Sequence, residues 1–376
     1  MINVLYVAPV TEDSHAVNGG YSEVANSFNK VFKHLKESEF VDTYTVINPT
    51  EQKTPIQLAS SYDIGIILTH PDSFNHAGFK ESIMSLRKLC KKFYLHIFWE
   101  VSEFPLTWKW MFTDNMFDGF IASSDYVVDL LKRDVERSHS VQKVFKIYPS
   151  LYEEDFPNAR INIEEKKNES KFTVLYMGQY TKRKGMEDAV TSFAHALGDK
   201  EDCQLVLKYH RLSKLEFPEE EMIKRTVSMN CKEFKAQIFE VTDNLNRQQI
   251  IELYKSSSVV LHPSRGEGFG FVIVESCIVG IPIIYADNSS CREVSCNNRQ
   301  YIVPCYQDTP IGMTQYNYPS DGTYGVPYMC SMIDYLKQAY ELWKESKEKY
   351  YNVGSEDFIF NKFSEKVVTE QIMKLM

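Results

Sequence analysis

Ser264-Arg265-Gly266-Glu267-Gly268-Phe269-Gly270-Phe271-Val272-Ile273-Val274-Glu275 decides how the rest of the chain is read. Immediately before it, Val259-Val260-Leu261-His262-Pro263 is a short apolar run closed by proline, the pattern of a buried strand. A glycine turn follows, and then an apolar segment that reads as a helix. Glycines let the backbone approach a ligand closely, and the free N–H groups at a helix start favour an anion such as phosphate. The two glutamates, eight positions apart, would repel a phosphate but suit neutral hydroxyls on a ribose or hexose. The stretch therefore reads as a nucleotide-sugar site.

Working outward, the strand–turn–helix pattern recurs. Phe172–Met177 reads as a strand, followed by Gly178-Gln179-Tyr180-Thr181-Lys182-Arg183-Lys184-Gly185 and a helix over 186–197. Further strands are expected at 204–209, 236–240 and 281–285, with helices over 219–229, around 250–254 and over 271–279. The N-terminal half has the same rhythm. A strand at 3–7, a polar loop ending in Gly19-Gly20 and an amphipathic helix over 21–36 open the chain. Strands at 43–47, 63–68, 93–98, 119–122 and 144–147 follow, with helices over 79–90 and 126–133. Alternating strands and helices imply parallel sheets covered on both faces, with function in the loops after the strand ends. Between the halves, Pro149, Pro157 and the charged run 164–171 read as a linker. Residues 304–328, rich in Tyr, Pro and Gly, read as a surface insertion or an acceptor-stacking loop. Two helices, over 332–350 and 358–376, end the chain.

Composition narrows the function classes. The chain has 376 residues, 43% hydrophobic and 25% charged, which is ordinary for two globular domains. A net charge of -9 argues against nucleic acid and anionic membrane as partners of the whole surface. No apolar run approaches the roughly 20 residues of a membrane span, and Met1 to Val10 reads as a strand and not a leader; a cytoplasmic location is expected. The eight cysteines form no C-x-x-C pair and no zinc spacing, so reduced thiols and no metal site are expected. Asn168-Glu169-Ser170 and Asn288-Ser289-Ser290 match the glycosylation acceptor pattern by chance on this reading.

Pro263-Ser264-x-x-Glu267-Gly268-Phe269-Gly270-x4-Glu275, followed by Gly280-Ile281-Pro282-Ile283-Ile284, resembles the signature of family 4 glycosyltransferases. The likeness extends back to Leu253-Tyr254-x3-Ser258 and Gly178-x5-Lys184-Gly185. It extends forward to Glu293 and to Phe363-Ser364-Glu365-Lys366-Val367. In the first half only Gly19-Gly20 and Trp99-Glu100-x4-Pro105 share it. The resemblance implies an α/β GT-B fold, two Rossmann-like doubly wound domains facing a central cleft, with a C-terminal helix crossing back to the N-terminal domain. The expected domains are 1–160 for the acceptor, 161–354 for the nucleotide sugar, and the returning helix 355–376.

The implied activity is retaining transfer of a hexose from a UDP- or GDP-linked donor to a hydroxyl of a glycan, glycolipid or glycoprotein, with no cofactor and no metal. Glu267, Glu100 and Lys184 are the catalytic candidates. Lys184, Arg183, Gln179, Gly268, Phe269, Gly270, Phe271, Glu275, Gly19 and Gly20 are the donor-binding candidates. By analogy Glu275 holds ribose hydroxyls and Glu267 the donor-sugar hydroxyls, while Lys184, with Arg183 and backbone N–H groups, holds the diphosphate. His96, Glu100 and Glu103 are candidates for acceptor contact, with His96 also readable as a packed strand histidine. Gln179 departs from the family, which often has arginine there. The partners are thus a nucleotide sugar and a hydroxyl-bearing acceptor, with room for peripheral membrane association and a homo-oligomer. An inverting GT-B transferase, a nucleotide-sugar epimerase and a non-catalytic nucleotide-sugar-binding module are the alternatives; a dehydrogenase is disfavoured because no G-x-G-x-x-G is present.

Overall fold

The computed structural model describes residues 2–11, 20–49, 58–210, 219–296, 300–309, 318–319, 321–351 and 356–376. The chain divides into two compact units, Met1–Asp155 with Phe360–Met376, and Phe156–Ile359. Each is a doubly wound α/β unit on a six-stranded parallel sheet.

The first unit runs β1 (Ile2–Val7), α1 (Gly20–Glu37), β2 (Val41–Ile47), β3 (Tyr62–Leu68), α2 (Ala77–Arg87), β4 (Cys90–His96), α3 (Trp110–Thr113), β5 (Gly119–Ala122), α4 (Asp125–Arg137) and β6 (Lys143–Lys146). Its strand order is β2-β1-β3-β4-β5-β6. Helix α1 forms because Val24, Phe28, Val31, Phe32 and Leu35 recur at helical spacing and are all buried. The helix expected to reach Cys90 stops at Arg87. Cys90 is taken by β4, where it pairs with Tyr62, and Tyr62 N donates to Leu89 O at 2.7 Å.

The second unit runs α5 (Ile163–Lys166), β7 (Phe172–Gln179), α6 (Met186–Leu197), β8 (Cys203–His210), α7 (Glu219–Asn230), β9 (Gln237–Val241), α8 (Arg247–Lys255), β10 (Val259–His262), α9 (Phe271–Val279), β11 (Ile283–Ala286), α10 (Cys291–Val294), β12 (Gln300–Val303), β13 (Cys305–Asp308), β14 (Tyr324–Pro327), α11 (Met329–Glu345) and α12 (Lys347–Tyr351). The sheet order is β12-β11-β10-β7-β8-β9. The chain starts in the middle at β7, builds outward to β9, then returns to the other side of β7 as β10. The order reverses between β7 and β10, and in such sheets ligands bind outside the carboxyl ends of the strands at that point. The Gly178–Gly185 and Pro263–Gly270 loops both leave from those ends.

Other segments of the second half also differ from their sequence reading. Strand β12 was not expected. The final helices are broken: Ser346 is extended between α11 and α12, and Ser364 separates α13 (Glu356–Lys362) from α14 (Glu365–Ile372), its Oγ accepting from Val367 N at 3.4 Å. A serine hydroxyl that caps a new helix competes with continuation of the old one. The tail belongs to the first unit, where Leu151 N donates to Phe363 O at 2.8 Å and Tyr148 N to Gln371 Oε1 at 2.9 Å.

The charged run 164–171 is packed into the second unit and is not a free tether. Lys166 is buried; its Nζ donates to Ser257 O at 2.7 Å and pairs with Glu169, which also accepts from Tyr351 and, at 3.3 Å, from Trp343 Nε1. Residues 305–327 begin and end in the antiparallel pair β13–β14, while Pro310, Gly312 and Tyr316 lie outside the described residues. No helix among the described residues is long and apolar enough to cross a membrane. All eight cysteines are free thiols.

Removing one partner from a buried ion pair leaves the other without compensation. Lys166→Ala should therefore destabilise the second unit by about 3 kcal/mol, read as a shift in its urea midpoint. A shift smaller than about 0.5 kcal/mol, the usual size for a surface site, would show that the run is solvated after all.

Candidate functional site

At the carboxyl end of β7, Tyr176 OH donates toward Gln179 O and Lys184 O, both at 3.3 Å, and shapes the loop from beneath. Gly185 ends the loop with φ 72°, in the left-handed region, and begins α6. A Cβ there would stand 2.7 Å from Pro263 O, so glycine is required both by backbone angle and by the closeness of the β10 turn. At the end of β10 the second turn closes on Gly270, φ 104°, which begins α9. Neither α6 nor α9 has a side-chain cap on its first N–H groups. Two helix starts with uncapped donors thus flank the switch point, the arrangement that receives an anion.

The two loops are tied by charge. Lys184 Nζ donates to both oxygens of Glu267, at 2.6 and 2.9 Å. His262 Nε2 lies 3.2 Å from Glu267 Oε1, and Arg183 Nη1 lies 3.9 Å from Oε2. Arg183 Nη1 also donates to Gly266 O at 2.7 Å, while Arg265 N donates to Arg183 O at 2.8 Å. Glu267 is only 7% exposed. Burial alone would raise its pKa; Lys184, His262 and Arg183 outweigh that and hold the carboxyl well below its ordinary range.

A third segment, Asp287–Cys291, backs the turn. Ser289, at φ 43°, accepts from Glu267 N at 2.7 Å. Ser290 Oγ donates toward Glu267 O at 2.8 Å and Phe269 O at 2.7 Å, and Asn288 Nδ2 donates to Ser264 O at 2.8 Å. Strand β14 supports the other side: Arg265 Nη2 donates to Asp188 Oδ2 at 2.7 Å, Arg265 Nη1 to Tyr324 OH at 3.3 Å, and Gly325 N to Arg265 O at 3.1 Å.

Glu275, on α9, is buried and already partnered. Its Oε1 accepts from Arg247 Nη1 at 2.5 Å and its Oε2 from Tyr254 OH at 2.8 Å. The Arg247 guanidinium also lies over the Phe156 ring, 5.1 Å from its centroid.

The structure brings together Lys184, Arg183, Glu267, Gly268, Phe269 and Gly270. Arg183, which composition suggests is a solvated basic turn, is buried against Gly266. The Phe269 side chain is buried, 4.9 Å from the Phe271 ring. Gln179 closes β7 beside His210. The sequence reading gave no site role to His262, Arg247 or Ser289, and it placed Tyr254 only in the Leu253-Tyr254-x3-Ser258 likeness. His262 carried one signal, a titratable group closing an otherwise apolar strand.

In the first unit, His96 is a core residue. It is fully buried, its Nε2 is 3.0 Å from Ser123 Oγ, and its ring lies 4.9 Å from Phe28; burial pushes its pKa down to about 3. Glu103 accepts from Arg133 Nη2 at 2.9 Å and Arg137 Nη1 at 3.0 Å. Glu100 is half-buried, and its charge reaches His70 and Tyr126. His70 follows β3, at the point where this sheet's order reverses, and burial lowers its pKa against the opposing charges of Asp72 and Glu100. Gly20 opens α1 with no atom within 4 Å of a built Cβ; Gly19 lies outside the described residues. Among the described residues no cluster of three or more His, Cys, Asp or Glu could hold a metal ion.

Residues 158–311 match the family model of group 1 glycosyl transferases. The match covers less than half of the chain but contains both loops and both glutamates. No curated protein matches the chain in sequence. Among solved structures, sucrose-phosphate synthase from Thermosynechococcus elongatus is similar over 100% of this chain and 98% of its own, at 14% identity and a TM-score of 0.63. Anabaena HepE, in complex with UDP and glucose, covers 100% and 99% at 14% identity and a TM-score of 0.59. A glycosyltransferase from Rickettsia africae covers 100% and 97% at 18% identity and a TM-score of 0.59. The shared fold is GT-B.

The depressed Glu267 pKa has a pH signature. Ionised Glu267 contributes stability above its unfolded-state pKa, about 4.3, and that contribution is lost as pH falls through the lower folded-state value. Wild type should melt above Glu267→Gln at pH 7, and the gap should close as pH falls below about 4. A gap that is constant from neutral to acid pH would mean that the ion pair adds nothing.

Proposed function

We propose that the chain is a retaining glycosyltransferase that moves a hexose from a UDP- or GDP-linked donor to a hydroxyl of a glycan, glycolipid or glycoprotein. The observation that carries this reading is the Lys184–Glu267 pair between two uncapped helix starts at the sheet's switch point. It combines a cation and free N–H donors with a buried acceptor of hydroxyl hydrogens.

As the bond between the anomeric carbon and the phosphate oxygen breaks, the nucleoside diphosphate gains negative charge. Preplaced donors stabilise that charge most. Lys184 spends two of its three N–H donors on Glu267. The third can reach a phosphate oxygen, joined by the N–H groups that begin α9. Cationic side chains then do what a metal ion does in other transferases, so no cofactor is invoked. Glu267 keeps lone pairs for the donor-sugar hydroxyls. Glu275, fixed by Arg247 and Tyr254, keeps lone pairs for the ribose hydroxyls.

In the retaining route the acceptor oxygen attacks on the face the phosphate leaves. Its proton passes to the departing phosphate oxygen, which suits a site where the carboxylate beside Lys184, that of Glu267, is already paired with it. We assign Glu100 to hold the acceptor hydroxyl. Glu103 is spent on Arg133 and Arg137, and His96 is in the core.

Lys184→Ala should weaken nucleotide-sugar binding by roughly tenfold or more, the value of a charge-assisted hydrogen bond, in calorimetry against UDP- and GDP-hexoses. Glu275→Gln should weaken it less and keep the Arg247 contact, whereas Glu275→Ala also strands Arg247 and confuses affinity with stability. Unchanged affinity in both Lys184→Ala and Glu275→Gln would overturn the site. An inverted anomeric centre in the NMR spectrum of the product would overturn the retaining assignment, and binding without any turnover would leave a donor-binding module.

A further inference from the structure

Strand β8 carries a lysine that the donor reading does not use. Lys208 is 3% exposed, and among the described residues its Nζ has no hydrogen-bond partner. A buried cation without an acceptor is costly, and in a native protein such a group calls for an explanation, a functional role among them. Burial lowers its pKa, and the charge of Asp243 opposes that shift. Lys208 pairs in the sheet with Met177 on β7 and with Val241, the last residue of β9. Asp243 follows two residues later and is exposed. The charge of Lys208 also reaches His210, at the end of β8.

The order β10-β7-β8-β9 turns these contacts into a sequence across the sheet. The β10 turn carries Glu267, the β7 loop carries Lys184, and the β8–β9 ends carry Lys208 and Asp243. Neighbouring strands are about 4.8 Å apart, so Lys208 and Asp243 lie on the β8–β9 side of the Lys184 loop, where a nucleoside attached to a diphosphate at Lys184 would extend. An ammonium group only donates and a carboxylate only accepts. Side by side they complement a carbonyl oxygen next to a ring N–H. Uracil and guanine present that edge; adenine presents an amine beside an unprotonated ring nitrogen, as does cytosine.

We propose that Lys208, with Asp243, reads the base of the donor nucleotide and selects uracil or guanine over adenine and cytosine. The proposal rests on the donor site described above and adds to it the residue that decides the base.

The test is calorimetry of wild type, Lys208→Met and Lys184→Ala against UDP, GDP, CDP, ADP and inorganic pyrophosphate. Wild type should bind UDP or GDP at least about tenfold more tightly than CDP and ADP, and Lys208→Met should lose roughly that factor toward the preferred nucleotide. Its pyrophosphate affinity should stay at the wild-type value. Its melting temperature should not fall, because methionine fills the space without an unpaired charge. An unchanged base preference in Lys208→Met overturns the proposal. A parallel loss of pyrophosphate binding also overturns it, since Lys208 would then serve phosphate; a markedly lower melting temperature overturns it by making the residue structural. If wild type binds neither nucleotides nor pyrophosphate, the donor site itself falls and this inference with it. If Lys184→Ala weakens nucleotide binding and Lys208→Met does not, only this inference falls.

Discussion

The carboxylate of Glu267 is the group on which the second unit's site depends. A buried carboxylate costs several kcal/mol in lost hydration, and it persists only where charge and hydrogen bonds repay that. Here the return comes from two chain segments, Lys184 and Arg183 from the β7 loop and His262 from the end of β10, while Ser289 holds the Glu267 backbone N–H. The same contacts fix the spacing between the two glycine loops. Contacts to the backbone support the same spacing, since Arg265 N donates to Arg183 O and Arg183 Nη1 to Gly266 O. Gly185 enforces that spacing sterically, since its backbone lies against Pro263 too closely for any side chain.

The second carboxylate answers the same problem differently. Glu275 is as buried as Glu267, yet its partners come from α8 and not from a loop. Arg247 sits in the first turn of α8 and is itself braced over Phe156. Helix-borne partners hold their geometry better than loop-borne ones. Glu275 is therefore held by two partners on one helix, whereas Glu267 is held by side chains from the β7 loop and the end of β10. Two glutamates eight residues apart thus differ in rigidity because of what faces them, which their spacing alone does not convey.

Much of this was legible before any coordinates. Alternating apolar runs and glycine turns located eleven of the twelve strands of the two parallel sheets nearly where they lie, because a strand, a tight turn and a helix each impose a local pattern. The glycine loops and the Glu267–Glu275 pair were visible for the same reason. What was not legible depends on partners distant in sequence. Lys166 looks solvated in a charged run because Ser257 O, 91 residues away, is invisible from there. Arg183 looks like part of a basic turn until Gly266 O is brought to it, and Arg247 is one polar residue among several until Glu275 faces it. The breaks at Ser346 and Ser364 were missed because apolar periodicity continues through them, while a single hydroxyl decides the local backbone. Strand β12 is four residues long and has too little pattern to stand out.

The Tyr-, Pro- and Gly-rich segment after β12 shows how a stretch without periodicity can still be structural. Its last strand places Tyr324 and Gly325 against Arg265, inside the turn that carries Glu267. Arg265 in turn reaches Asp188 in the first turn of α6, the helix that Gly185 begins. One side chain therefore links β14, the β10 turn and the α6 start. Asn288 repeats the arrangement from the opposite side, donating to both Ser264 O and Gly325 O. The turn is clamped front and back by segments that follow it in sequence. A glycine-rich loop is free to move in isolation, and a donor site needs its backbone N–H groups fixed before charge develops. Tyr324 and Gly325 of the hairpin contribute to that fixity, so these two residues serve the turn's geometry.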